Sequence, residues 1–281
     1  MFTVSTSAPT ENVIVFDVEH KEMKKLINLL ERSKHCVFLS GAGISTFSGI
    51  PDFRGKNGIY RKFDADKIFD IDYFHSEPQY FYSHSKDLIY NLEEKEPSFI
   101  HHTLAKMEKK KIIKVLITQN IDMLHLKAGS CNVIEIHGSA RESTCLSCGK
   151  KFSYEGVAKT VQEDIIPTCD LCSGILKPDI IFFGEMLNEE TITKAMLESS
   201  IADLFVVIGS SLLVQPAASL PFYAIRNKGK LVIVNDMPTP LDRYAHLKYD
   251  DLEDVFNILE KHFCGNHCPE QKDGSIIKDE R

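Results

Sequence analysis

Residues 36–55 read CVFLSGAGISTFSGIPDFRG, and this stretch decides the fold. An apolar run of strand type ends in a glycine turn at Gly41 and Gly43, then passes into a polar loop closing on Asp52 and Arg54. In α/β folds such a strand delivers backbone N–H groups to a phosphate, and the next helix N-terminus adds a favourable dipole. Gly41 and Gly43 supply the first two glycines of a dinucleotide fingerprint, but Thr46 stands where the third belongs. The turn alone fits an ordinary connection as well as a nucleotide site. What favours the site is the density of hydrogen-bonding groups: Ser45, Thr46, Ser48, Asp52 and Arg54 crowd the loop, and Pro51 stiffens their presentation.

Working outward, short and nearly continuous apolar runs recur at residues 112–117, 133–136, 204–208 and 231–234, as in strands buried on both faces. Residues 21–33 place Met23, Leu26, Ile27 and Leu30 at amphipathic helical spacing, and residues 189–199 and 217–227 are helical stretches between strands. The alternation predicts an α/β, Rossmann-like parallel sheet with helices on both sides, binding its ligand off the carboxyl ends of the strands. Residues 59–111, rich in aromatics, depart from this rhythm and are expected to form a helical insert folded over the sheet edge. The expected division is a discontinuous sheet domain over 20–58, 112–140 and 177–264, the insert at 59–111, a cysteine module at 141–176 and a polar tail at 265–281. Residues 13–16, VIVF, suit either an edge strand or a packed arm.

A chain of 281 residues with 43% hydrophobic content can bury a sizeable core. Its net charge of -7 argues against nucleic acid or an anionic membrane as the main partner, because affinity for phosphate backbones comes chiefly from Lys and Arg. The run Lys109, Lys110, Lys111 reads as a solvated helix end. No stretch approaches the ~20 apolar residues of a membrane span, and the N-terminus lacks the basic start and apolar stretch of a signal peptide. A cytoplasmic protein is expected.

Four of the eight cysteines form two Cys-x-x-Cys pairs, Cys145 with Cys148 and Cys169 with Cys172, separated by 20 residues. A glycine following each pair allows the chain to fold back so that both sulfurs face one ion. Four thiolates leave no open coordination position, so the spacing predicts a structural zinc site, with disulfides the alternative that a reducing compartment disfavours. Cys36 and Cys131 read as small buried apolar residues. Cys264, His267 and Cys268 have ligand chemistry but no fourth partner nearby, and are assigned to the tail.

The remaining polar clusters fall at strand ends. Gln119, Asn120, Ile121 and Asp122 follow the run at 112–117 and could grip ribose hydroxyls and a carboxamide, although each alone suits turn or cap chemistry. His137 ends the run at 133–136, and the ordinary histidine pKa of ~6.5 suits proton transfer near neutrality. His125 lacks that placement and reads as a packing residue. Gly209, Ser210 and Ser211 follow the run at 204–208, where hydroxyls can hold phosphate, and Asn235 and Asp236 follow that at 231–234.

GAGISTFSGIPDFRG, TQNIDMLH, the His137-Gly138 pair, the paired CxxC, LKPDIIFFGE, GSSLLVQPA and VIVN occur in order over about 36–250. Together they resemble the Sir2 family of NAD-dependent protein deacylases. The resemblance implies that Gly41, Ala42, Gly43, Thr46, Phe53 and Arg54 surround NAD, that Asn120, Ile121 and Asp122 form the nicotinamide pocket, and that Gln119 contacts the nicotinamide ribose. Gly209, Ser210, Ser211, Asn235 and Asp236 would lie at the phosphates and adenosine. His137 matches the family's general base, with Asn120 as its catalytic companion. In the family mechanism the acyl oxygen of a modified lysine attacks the anomeric carbon as nicotinamide leaves. His137 then helps deprotonate a ribose hydroxyl, and the products are free lysine, nicotinamide and O-acyl-ADP-ribose.

Ile181 and Phe183 match the walls of the acyl-lysine tunnel. Gly184 and Glu185, in the segment 182–185, and Val214, in the loop 211–215, would pair with an extended acetylated peptide. Sirtuins that prefer acidic acyl groups carry a Tyr-x-x-Arg pair in the pocket. Here Tyr82 is present but Ser85 stands in the arginine's place, so NAD-dependent lysine deacetylation is expected, with zinc as the structural metal. Mono-ADP-ribosyl transfer, removal of longer acyl groups, a non-catalytic zinc-ribbon module and a hydride-transferring dehydrogenase are the rival readings. The missing third glycine weighs against the last.

Overall fold

A computed structural model describes residues 11–55, 58–61 and 64–265, apart from the side chains of 11–20. Its strands are β1 (Cys36–Ser40), β2 (Val115–Thr118), β3 (Val133–Glu135), β4 (Gly138–Cys145), β5 (Lys151–Ser153), β6 (Leu176–Ile180), β7 (Leu204–Ile208), β8 (Lys230–Val234) and β9 (Leu247–Tyr249). Its α-helices are α1 (Glu11–Arg32), α2 (Ala65–Ile68), α3 (Ile71–Ser76), α4 (Pro78–Leu88), α5 (Phe99–Lys109), α6 (Leu124–Lys127), α7 (Tyr154–Gln162), α8 (Glu189–Ile201), α9 (Leu220–Arg226) and α10 (Leu252–Leu259).

The continuous apolar runs become the centre of a six-stranded parallel sheet in the order β3-β2-β1-β7-β8-β9. Every residue of β1 and β7 is buried, because both faces of the sheet are covered. Cys36 and Phe38 of β1, with Leu204, Val206 and Ile208 of β7, pack on Leu26 and Leu30 of α1, Ile100, Leu104 and Met107 of α5, and Phe256 of α10. The alternate residues Val37, Leu39, Phe205 and Val207 pack on Ala195 of α8 and on Leu220 and Ala224 of α9. The chain winds outward from β1 through β2 and β3, then returns to pair β7 against the free side of β1. That reversal makes a crevice off the carboxyl ends of β1 and β7, the ordinary ligand position in an open α/β sheet.

A third cluster fills the space beyond those ends. Ile68, Phe74, Phe81 and Tyr82 from α2, α3 and α4 pack with Tyr154, Val157 and Val161 of α7 and with Leu176, Ile180 and Phe182. The insert therefore does more than fold over the sheet edge. It shares one core with the cysteine module, whose antiparallel sheet runs β5-β4-β6.

Some local expectations are corrected. The first helix begins ten residues earlier than its apolar periodicity marks, and the VIVF segment lies within it rather than in a strand. β2 starts at Val115 because Lys111 takes a left-handed φ of 65° and holds the preceding residues in a turn. The stretch at 217–227 divides into a 3-10 turn, Ala217–Ser219, and α9. Cys131 is exposed, while Cys36 is buried as expected. Cys264 packs part-buried against the core, and His267 and Cys268 lie outside the described residues with the rest of the tail.

Candidate active site

The loop after β1 is a short 3-10 helix, Ala42–Ser48, ended by Gly49 at φ 73°. Its two glycines are explained first by the loop after β7. The Gly43 N–H donates to the Gly209 carbonyl at 2.9 Å, and a Cβ on Gly41 would stand 2.6 Å from that same oxygen. Any side chain at either position would push the loops after β1 and β7 apart, so the glycines set the width of the crevice floor.

From β2 the chain delivers Gln119, Asn120, Ile121 and Asp122 to the same crevice. Asn120 Nδ2 donates to the Gly41 carbonyl at 3.1 Å and to Ser45 Oγ at 3.0 Å, and Ser45 Oγ donates to Asp122 Oδ2 at 2.6 Å. Asp122 Oδ1 accepts the Leu124 N–H at 3.0 Å, a geometry set by Met123 in a left-handed turn at φ 65°. Burial raises the Asp122 pKa, and the Ser45 and Leu124 donors oppose that rise. Ser45, part of the opening loop but absent from the expected contacts, links the amide and the carboxylate. Gln119 Nε2 donates to Ser210 Oγ at 2.7 Å, joining the loops after β2 and β7.

His137 leaves β3 with its Nδ1 3.0 Å from the Gln119 carbonyl. A carbonyl only accepts, so in the neutral ring Nδ1 carries the proton and Nε2 is the basic atom. Burial lowers the His137 pKa against the opposing pull of that carbonyl, which keeps the imidazole neutral at pH 7. The following residue, Gly138, has φ 75°, and a Cβ there would meet the Asp179 carbonyl at 2.2 Å. The sharp turn from β3 into β4 thus depends on glycine.

These groups line a cavity of about 600 Å³ between the sheet and the shared insert–module core. Gly41, Ala42, Gly43, Phe53, Arg54, Gln119, Asn120, Ile121, Asp122, His137, Gly209, Ser210, Ser211, Asn235 and Asp236 all lie on its wall. So do Ile181, Phe183, Gly184, Glu185 and Val214. Thr46 does not: it is exposed, with its hydroxyl donating to the Gly43 carbonyl inside its own turn. Tyr82 and Ser85 are not on the wall either. The Tyr82 hydroxyl donates to the Leu176 carbonyl at 2.5 Å within the core.

Asn235 is buried, and its Nδ2 donates to the Met237 carbonyl, which shapes the loop after β8. The Glu185 carboxylate is already engaged, accepting the Phe182 N–H at 2.7 Å and pairing with Lys177 Nζ at 2.9 Å. Phe183 spends its N–H on Phe69 and its carbonyl on Ile71, so an incoming strand would have to use the opposite side of this segment. Tyr60 and Phe69 are among the wall residues that were not anticipated. Tyr60 lies under the Arg54 guanidinium, 4.9 Å from ring centre to Cζ, and Phe69 packs 6.1 Å from Phe53.

In the module the sulfurs of Cys145, Cys148, Cys169 and Cys172 all lie within 4.8 Å of one another, the pairs Cys145–Cys172 and Cys148–Cys169 being 3.5 and 3.6 Å apart. Tetrahedral zinc with Zn–S near 2.3 Å requires sulfurs roughly 3.8 Å apart. The four cysteines therefore fit a closed zinc site.

A parallel sheet with a polar crevice at its reversal, walled by a cysteine-bound module, defines an α/β nucleotide-binding protein. The Sir2 family profile matches residues 41–216, and the chain belongs to that family. An "NAD-dependent protein deacetylase" of Thermotoga maritima is 48% identical over 242 residues, covering 85% of this chain and 98% of the relative. An "NAD-dependent protein deacylase 2" of Archaeoglobus fulgidus is 41% identical, covering 81% and 90%. A solved structure of Sir2 with a p53 peptide and NAD+ aligns with TM-score 0.79 at 45% identity, covering 85% of this chain and 96% of that one. Another, Sir2Tm bound to a propionylated peptide, aligns with TM-score 0.77 at 44% identity over the same shares. Among the described residues no helix is long and apolar enough to cross a membrane.

Proposed function

We propose that the chain is an NAD-dependent protein lysine deacetylase, acting on acetyl-lysine in extended peptide segments. The observation that carries this reading is His137 held by the Gln119 carbonyl, with no partner on Nε2 among the described residues, on the wall that also holds the Asn120–Ser45–Asp122 constellation. The names of its relatives support it.

NAD supplies an activated glycosidic bond to a cationic leaving group. The wall suits it chemically: neutral amide and hydroxyl donors with one guanidinium, Arg54, for the phosphates, and the buried Asp122 and Asn120 where positive charge develops. His137 would take a ribose hydroxyl proton at Nε2. The acetyl-lysine stem would lie among Ile181, Phe183 and Val214, where apolar walls strip its water. The zinc, held by the four cysteines, has a structural role. Reduced cysteines at that site favour the cytoplasm. We retain the proposed division into sheet domain, insert and module, with α5 joining the sheet domain because its apolar face packs there.

Apart from His137, the described lining residues include one cation, and Arg54 is stacked on Tyr60 at the nucleotide side. An acidic acyl chain would bury a carboxylate without a partner. With NAD and matched peptides, acetyl is expected to turn over at least about tenfold faster than succinyl, giving nicotinamide and O-acetyl-ADP-ribose by mass spectrometry. Faster succinyl turnover would overturn the acyl preference, and ADP-ribosylated protein in place of O-acetyl-ADP-ribose would overturn the reaction.

A further inference from the structure

We propose that His125 is a positioning residue for this reaction, acting through Ser40 and Thr118 on the backbone that presents Asn120. The inference rests on the deacetylase reading above. Ser40 and Thr118 are the last residues of β1 and β2, and the two pocket loops spring from them. Both are buried, at 0% and 2% exposure, at the ends of strands that are otherwise apolar but for their own hydroxyls. Ser40 Oγ donates to Thr118 Oγ1 at 2.8 Å, and Thr118 Oγ1 accepts the Asn120 N–H at 3.1 Å. His125 Nε2 lies 2.8 Å from Ser40 Oγ. Since the Ser40 proton goes to Thr118, His125 must donate, which puts its proton on Nε2 and leaves Nδ1 as an acceptor.

A second buried histidine packs against the His125 ring. His101 Nδ1 accepts the Ser98 N–H at 3.2 Å, so its proton sits on Nε2. The two rings lie 4.9 Å apart between centres. Among the described residues, His101 Nε2 and His125 Nδ1 are both buried without a hydrogen-bond partner, and the tautomers just assigned make them a complementary donor and acceptor. Burial lowers both pKas, that of His101 to about 4, so the rings are neutral at pH 7. Polar atoms left unpaired in a core cost stability that apolar side chains would not. The hydrogen-bonded line runs from His125 through Ser40 and Thr118 to the peptide N–H of Asn120, and His101 of α5 packs its ring against the far end. It fixes the root of both loops with groups that never touch the substrate.

The test uses the full-length chain with NAD and an acetyl-lysine peptide. His125→Phe keeps the ring volume and removes both nitrogens; His125→Gln keeps an amide near the Nε2 position. Misplacement of reacting groups by ~1 Å costs up to ~100-fold in rate. His125→Phe should therefore lose at least about tenfold in kcat with peptide KM within about twofold, and His125→Gln should regain most of it. Should the phenylalanine variant not fold, Thr118→Val interrupts the same line at nearly constant volume, by removing the Oγ1 that accepts the Ser40 hydroxyl and the Asn120 N–H, and should show the same loss in kcat alone. If His125→Phe or Thr118→Val keeps kcat within twofold of an active wild type, or the glutamine variant loses as much as the phenylalanine variant, the positioning role is wrong. A wild type that makes no O-acetyl-ADP-ribose overturns the parent reading instead, and this one with it.

Discussion

Replacing His137 with alanine is expected to lower NAD-dependent deacetylation by two to four orders of magnitude, the usual range for loss of a positioned general base. The fold should survive. His137 is half-buried at the pocket wall and makes one hydrogen bond among the described residues, to the Gln119 carbonyl, worth about 1 kcal/mol. A fall in Tm of no more than ~4 °C is expected from such a loss. The pH profile gives an independent check. The base works unprotonated, so turnover should rise with pH through the His137 pKa and level off above it. Burial sets that pKa below the ordinary ~6.5, which puts the midpoint of the acidic limb below pH 6.5 and the plateau at neutrality. NAD binding by calorimetry should change little. An alanine variant of undiminished rate, or an acidic limb centred above pH 7, would remove His137 from the role.

Strand ends were the legible part of this site, for a physical reason. A parallel strand buried on both faces is largely apolar, so the polar and glycine residues that close each run mark where the chain reaches the crevice. Ser40, Gln119, His137, Gly209 and Asn235 all stand at such breaks. What a break does not reveal is where a side chain turns next. Thr46 carries a hydroxyl in the right loop yet bonds back within its own 3-10 turn, and a sequence pattern cannot separate those outcomes. Tyr82 fails for a different reason: its ring belongs to a core built jointly by the insert and the cysteine module, a packing between segments some 90 residues apart. His125 was legible only as a residue without a strand-end position. Its partners come from β1 and from α5, and tertiary pairing alone brings them together.

That joint core makes the second large effect follow from chemistry remote from the pocket. Removing the metal should unfold the module, and the loss should be thermodynamic first and catalytic second. Four sulfurs within 4.8 Å, two of them from residues only 1% and 3% exposed, have no reason to stay so close without a cation between them. Structural zinc contributes roughly 10–16 kcal/mol of apparent binding free energy in small domains, all of it conditional on the folded ligand geometry. Here Cys145 ends β4, which pairs with β6, and β6 runs straight into Ile181, Phe182 and Phe183 on the pocket wall. Leu176, Ile180 and Phe182 in turn hold Phe74 and Phe81 of the insert. Zinc analysis should find one ion per chain, and chelation should release it with the exposure of four titratable thiols. Tm should then fall by roughly 10 °C or more, with turnover lost in parallel at each chelator concentration. Cys145→Ser should reproduce both losses without chelator. The parallel is the informative feature: turnover that vanished while Tm held would give the metal a part in the chemistry. A protein purified without metal at full stability would mean that packing alone holds the four thiols together.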